Sequence, residues 1–152
     1  MKPTKLVGVL SLIAGIIMIV AGGLTWGMVS SQLSAENITV PGDSTIAPGK
    51  PVRGPITAYA QADIINHHAL AGSDGKTYAQ LGALAREAAD AGDEELAAQL
   101  TEQRASVMNA SFLRASLFTS VVAFGVAALV IGLGLMFILI GWALTSIRTG
   151  KD

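Results

Sequence analysis

Two long uncharged runs dominate the pattern of apolar and polar residues along the chain. The first covers residues 6–29 and the second covers residues 115–147. A helix needs about 20 apolar residues to cross a hydrocarbon core of about 30 Å, and both runs reach that length. Buried helices of soluble proteins usually keep a polar stripe. A soluble fold of 152 residues is therefore not expected to contain two such uncharged runs. The pattern therefore predicts two transmembrane helices that form a hairpin.

A signal peptide is the alternative interpretation of the first run. Lys2 and Lys5 resemble the basic start of such a peptide. Its apolar region is typically about 7–15 residues long, whereas this run has 24, and Leu33-Ser34-Ala35 places leucine where a small residue is expected. We therefore predict an uncleaved anchor.

The segment between the runs, residues 30–114, predicts a small helical domain. Four prolines and three glycines in residues 41–55 indicate an extended connector. Thr77 and Gln80 have the spacing of a capping box, and Gly72 suits the C-terminal cap of the preceding helix. The predicted helices are residues 56–71, 77–91 and 93–114. The last of them continues into the second run, because no glycine or proline occurs between Asp93 and Phe124.

Basic residues beside the helix ends predict the orientation. The four terminal basic residues are Lys2, Lys5, Arg148 and Lys151. Residues 30–114 carry ten acidic and six basic residues, a net charge of -4. Because basic residues flank the cytoplasmic ends of membrane helices, residues 1–5 and 148–152 are predicted to be cytoplasmic. Residues 30–114 are then extracytoplasmic, and the protein is a multi-pass protein of the plasma membrane.

Composition excludes several classes of function. A net charge of -1 does not suit a polybasic nucleic-acid binder. The lack of cysteine excludes a thiol nucleophile and a cysteine-ligated metal. No glycine-rich loop follows a strand, so no nucleotide site is indicated. Neither run contains a charged residue or histidine, which disfavours a proton or ion pathway in the bilayer. We expect no cofactor.

Small residues recur along both runs and predict close helix packing. In the second run, Gly125, Ala128 and Gly132 line one face of the helix, and Gly134 and Gly141 line another. The alternative is that glycine is simply frequent in membrane helices. The predicted packing positions, within the hairpin or against another chain, are Gly8, Gly15, Gly22, Gly23, Gly27, Gly125, Ala128 and Gly132.

Asp63, His67 and His68 are the candidate metal ligands. Neighbouring helical residues point about 100° apart, so the two imidazoles hardly ligate one ion. A third ligand has to come from elsewhere in the chain. We therefore favour surface or structural histidines over a metal site.

Several stretches resemble a family of small actinobacterial membrane proteins with two spans. The similarity is carried by residues 54–65, His68, residues 75–79 and residues 108–125, together with the first run. The resemblance implies a Gram-positive cell envelope. Members of that family are often labelled aromatic ring-opening dioxygenases. Such iron enzymes need two suitably placed histidines and a carboxylate, whereas this chain offers one adjacent pair.

The leading hypothesis is a non-enzymatic integral membrane protein that acts as an interaction or accessory subunit. Its extracytoplasmic helical domain docks a partner at the cell envelope, and its expected partners are the lipid bilayer and another membrane protein or a second copy. The alternatives are a dioxygenase subunit, as the family label implies, and a cell-envelope sensor.

Overall fold

The computed structural model describes residues 3–147, and within them the protein is all-α. The four helices are α1 (Pro3–Ala35), α2 (Pro55–Gly72), α3 (Tyr78–Asp90) and α4 (Glu94–Ser146). The predicted helical fold class is thus confirmed. Of the predicted tails, residues 1–2 and 148–152 lie outside the described residues.

Helices α1 and α4 are each long and apolar enough to cross a membrane. In the most apolar stretch of each helix, only 17% of the residues are buried within the chain. Ile17 and Leu139, for example, are more than 60% exposed. Helices in a soluble core bury such side chains, so this outward apolar surface fits a membrane hairpin.

The chain folds as two compact units. The helical unit is Glu36–Val121, and the hairpin unit holds α1 and the part of α4 that begins at Val122. Helix α4 contributes to both units as one continuous helix, because no glycine or proline interrupts residues 94–124.

Local capping chemistry sets where α3 begins and ends. The predicted capping box is confirmed: the backbone N–H of Thr77 donates to Gln80 Oε1 at 2.9 Å, and the backbone N–H of Gln80 donates to Thr77 Oγ1 at 3.5 Å. After α3, Gly92 has a φ of +79°, the left-handed conformation that glycine favours. Asp93 Oδ1 then accepts the N–H of Leu96 at 3.0 Å and caps α4.

Helix α2 ends differently from the prediction. Gly72 is its last helical residue and not its left-handed cap. The chain reverses two residues later, where Asp74 and Gly75 have φ values of 51° and 75°. Gly75 donates its N–H to the carbonyl of Leu70 at 2.7 Å. The turn therefore supplies the left-handed residues, which aspartate and glycine tolerate.

The proline-rich connector folds back on itself as a short hairpin-like loop. The N–H of Val40 donates to the carbonyl of Lys50 at 3.0 Å, and the N–H of Val52 donates to the carbonyl of Ile38 at 2.9 Å. Both valines are 1% exposed. Their burial anchors the loop within the helical unit.

The α3 and α4 helices share a small apolar core. Leu81 and Ala88 from α3 pack with Leu100 and Val107 from α4. Each pair is spaced by seven residues, which keeps both members on one face of their helix. Leu84, Ala85 and Ala97 are partly buried and pack against this cluster, so the core is small.

A cation–π contact also joins these two helices. The guanidinium carbon of Arg104 lies 4.1 Å from the centre of the Tyr78 ring. Gly82 leaves room for this side chain, since a Cβ atom there would lie 2.9 Å from Arg104 Nε. Such contacts contribute about 0.5–1 kcal/mol at exposed sites.

Candidate functional site

Glycines bring α1 and α4 into backbone contact within the hairpin unit. A Cβ atom at Gly15 would lie 2.5 Å from the carbonyl oxygen of Gly134, and one at Gly134 would lie 2.7 Å from the carbonyl oxygen of Gly15. Gly8 and Gly141 face each other in the same way, with a Cβ atom at Gly141 only 2.6 Å from Gly8 O. No side chain fits at these contacts without separating the helices.

A third contact extends the interface by seven residues. A Cβ atom at Gly22 would lie 2.9 Å from the carbonyl oxygen of Ala127 and 2.6 Å from Ile131 Cγ1. Residues 8, 15 and 22 of α1 face residues 141, 134 and 127 of α4, in that order. Residue numbers increase along one helix and decrease along the other in steps of seven, so the helices are antiparallel and their register is constant. This seven-residue spacing is that of a coiled-coil seam. We call the set Gly8, Gly15, Gly22, Ala127, Gly134 and Gly141 the small-residue seam.

Five of the eight predicted packing positions lie outside this seam. Within residues 3–147, and apart from the adjacent turns of the same helix, no atom lies within 4 Å of a Cβ atom built at Gly23, Gly27, Gly125 or Gly132. Ala128 is exposed. The structure therefore does not use these positions inside the hairpin, and their packing against another chain stays a prediction. Ala127 was missed, although its seven-residue spacing from Gly134 and Gly141 is visible in the sequence.

An aromatic pair lies at one end of the seam. The rings of Trp26 and Phe124 are 4.8 Å apart at 62°, an edge-to-face arrangement. Phe124 is 1% exposed. An aromatic pair of this kind adds about 0.5–1.5 kcal/mol beyond the burial of its area. Trp26 thus packs on α4 at this end of the seam.

The candidate metal ligands are not gathered into a site. No group of three histidine or acidic residues with metal-binding geometry occurs among residues 3–147. Asp63 is exposed on α2, and the ring centres of His67 and His68 lie 6.3 Å apart. His68 instead pairs with Asp43, which lies in the connector loop, with 2.6 Å between Nε2 and Oδ2. A carboxylate only accepts, so Nε2 carries the hydrogen.

This pair links the connector loop to α2 and lowers the pKa of Asp43. The hydrogen bond from His68 holds the pKa of the Asp43 carboxyl below its ordinary value of 3.8. Because the pKa is lowered in the folded state, the contact stabilises the fold at pH values above the ordinary pKa. This stabilisation is lost as the pH falls through the lowered pKa. The pair therefore fastens the loop at neutral pH.

Replacing His68 with alanine is expected to raise the pKa of Asp43 toward its ordinary value, because the carboxylate loses its hydrogen-bond donor. Carboxyl carbon shifts in an NMR titration of the micelle-bound chain measure this change. His67→Ala is the matched control, since His67 acts on Asp43 only through a weak charge effect. Equal shifts in both variants would contradict the assigned hydrogen bond.

An open groove lies between α3, α4 and the turn that precedes α3. Its volume is about 510 Å³. The turn contributes Asp74 and Lys76 to its edge. We call it the α3–α4 groove. Its other lining residues are Leu84, Glu87, Ala88, Ala91, Asp93, Leu96, Gln99, Leu100 and Gln103.

A second cleft lies between the end of α2 and α4. It is smaller, about 350 Å³, and its walls are more polar. His68, Ser73 and Glu102 are among its lining residues. Ser73 is 1% exposed, and its hydroxyl donates to the carbonyl of Lys76 at 2.7 Å. That hydroxyl therefore stabilises the turn that follows α2.

Comparison with protein-family models, with curated proteins and with solved structures finds no match to this chain. What the protein does is therefore inferred from its own residues and contacts.

Proposed function

We propose that this protein is a non-enzymatic subunit of the plasma membrane, anchored by two spans, whose helical unit docks a partner outside the cytoplasm. The observation that carries the proposal is the pairing of two features in one chain. Two spanning-length helices present their apolar side chains outward, and the helical unit between them has its own core and an open groove.

Charge distribution supports the proposed orientation. Both ends of the chain carry basic residues beside the apolar runs, whereas the segment between the runs is acidic. The resemblance to small two-span actinobacterial membrane proteins agrees with a Gram-positive envelope, in which an extracytoplasmic unit meets envelope proteins. A close helix pair held by backbone contacts makes a rigid anchor, which suits an accessory subunit better than a moving transporter helix.

The lysines allow one experiment to test both the side of the membrane on which the helical unit lies and its contact with a partner protein. Lys50 and Lys76 are the only lysines between the runs. A membrane-impermeant amine cross-linker added to intact cells is expected to join the protein to another polypeptide through these two residues. Lys5 is expected to react only after the cells are permeabilised, because it lies beside the cytoplasmic end of α1. Mass spectrometry of the cross-linked band identifies the lysine used.

The double variant Lys50→Arg and Lys76→Arg is the matched control, since it keeps both charges and removes both amines. It is expected to abolish the cross-linked band. Reaction of Lys5 in intact cells would overturn the orientation. A chain that stays uncoupled while both middle lysines are modified by a monofunctional reagent would overturn the accessory role.

A further inference from the structure

The floor of the α3–α4 groove is an apolar surface that the helical unit leaves open. Leu84, Ala88 and Leu100 form its inner part, where Ala88 and Leu100 also belong to the core. Leu96 stands at the outer part and is 43% exposed. An apolar depression that continues directly from a core is a favourable place for a partner's side chains.

The rim of the groove is acidic. Lys76 is the basic residue of the lining, and its ammonium lies 3.4 Å from the carboxylate of Asp74. Glu87 and Asp93 add two more carboxylates, and no ion pair to either of them forms within the described part of the chain. The exposed acids Glu94 and Glu95 follow Asp93 directly in sequence. One carboxylate oxygen of Asp93 accepts the N–H of Leu96, and the rim keeps a net negative charge around the apolar floor.

We propose that the α3–α4 groove binds an amphipathic helix of a partner protein that places large apolar side chains on the floor and lysine or arginine beside the acidic rim. Helix-in-groove recognition uses this combination of apolar anchors on one face. A volume of about 510 Å³ accommodates a few such anchors and not a whole domain. The inference rests on the proposed function and names the chemistry of the partner.

Charge complementarity favours a basic peptide over a lipid surface. Bacterial and other biological membranes carry negative headgroups, which attract basic segments. An acidic rim repels such a surface. The same rim raises the encounter rate with a basic segment and orients it.

A model peptide tests the groove on the full chain. The chain is placed in nanodiscs of phosphatidylcholine, which carry no net charge. The probe is a fluorescent leucine–lysine peptide of about 20 residues, with leucine at helical spacing, because isolated helices shorter than about 12–15 residues are marginal in water. Saturable binding is expected by anisotropy, above that to empty nanodiscs. A leucine–glutamate peptide of the same pattern is expected not to bind.

Two pairs of variants separate the groove from general attraction. Leu96→Ser is expected to weaken binding about fivefold, because a partner can then no longer bury the part of the leucine side chain that is 43% exposed. Ile56→Ser, at a position 67% exposed on α2, is expected to change nothing. Glu87→Lys is expected to weaken binding about threefold and to reduce its dependence on salt. Asp90→Lys makes the same charge change outside the groove and is expected to have a smaller effect.

Equal effects of Glu87→Lys and Asp90→Lys would overturn the proposal, because binding would then follow net charge alone. Insensitivity to Leu96→Ser, or equal binding to empty nanodiscs, would also overturn it. These failures leave the cross-linking result of the intact protein unaffected, so failure of the groove is distinguishable from failure of the accessory role.

Discussion

A Gly15→Ala variant is expected to lower the free energy of unfolding of the hairpin unit by about 1–3 kcal/mol, the usual cost of overpacking a tight contact. The added methyl would lie 2.5 Å from the carbonyl oxygen of Gly134 and 2.9 Å from the amide nitrogen of Ile138. Both atoms belong to the backbone, so no side-chain rotation relieves the overlap. The two helices have to move apart along the seam.

Gly23→Ala is the matched control on the same helix. A Cβ atom there meets no other part of the described chain within 4 Å, and alanine favours a helix over glycine by up to about 1 kcal/mol. Stability is therefore expected to stay unchanged or to rise slightly. SDS titration of the purified chain in mild detergent compares the two variants. If both variants behave alike, α1 and α4 do not touch at Gly15.

The separation of α1 from α4 can be measured directly as a distance between two spin labels. The chain contains no cysteine, so a pair of cysteines at the exposed positions Ile13 and Met136 accepts spin labels without further changes. The label–label distance is expected to increase in Gly15→Ala and to stay constant in Gly23→Ala. Gly134→Ala is expected to reproduce the effect. The double variant is expected to cost less than the sum of both, because residues in contact are coupled.

The seam shows how far sequence reasoning reaches in a membrane helix. Gly8, Gly15 and Gly22 are spaced by seven residues, and all three lie on the face of α1 that contacts α4, whereas the predicted positions Gly23 and Gly27 do not. For α4, the sequence offered two small-residue faces. Lipid is as apolar as leucine, so burial does not distinguish one face from another. Only the position of α1 decides that the face with Gly134 packs inside the hairpin and that the face with Gly132 does not.

In the helical unit, the predictable features are local ones. The capping box of Thr77 and Gln80 depends on residues three apart, and it was found from spacing alone. The pair of His68 and Asp43 joins residues 25 apart in sequence, and it depends on how the connector loop folds back. The α3–α4 groove likewise depends on which helix faces meet. No periodicity in the sequence encodes such a depression, although the acidic run at its rim was visible.

The second large effect is expected from Leu81→Ala, which removes the largest fully buried side chain of the helical unit. Leu81 is 0% exposed and packs in the cluster with Ala88, Leu100 and Val107. Leucine-to-alanine changes in a core cost about 2–5 kcal/mol, more where neighbours do not close the cavity. Here the neighbouring side chains are carried by two capped helices, which limits how far they can move to close the cavity.

Hydrogen exchange of the full chain in detergent measures this loss segment by segment. A loss of about 2 kcal/mol makes the protected amides of α3 and of the first turns of α4 exchange about 30-fold faster. Amides of α1 are expected to keep their protection, because the hairpin unit has its own contacts at the seam. Leu113→Ala makes the same chemical change at a position 56% exposed and is expected to leave α3 unchanged. Unchanged exchange in Leu81→Ala would contradict the assigned core, whereas equal loosening of α1 would show that both units unfold as one.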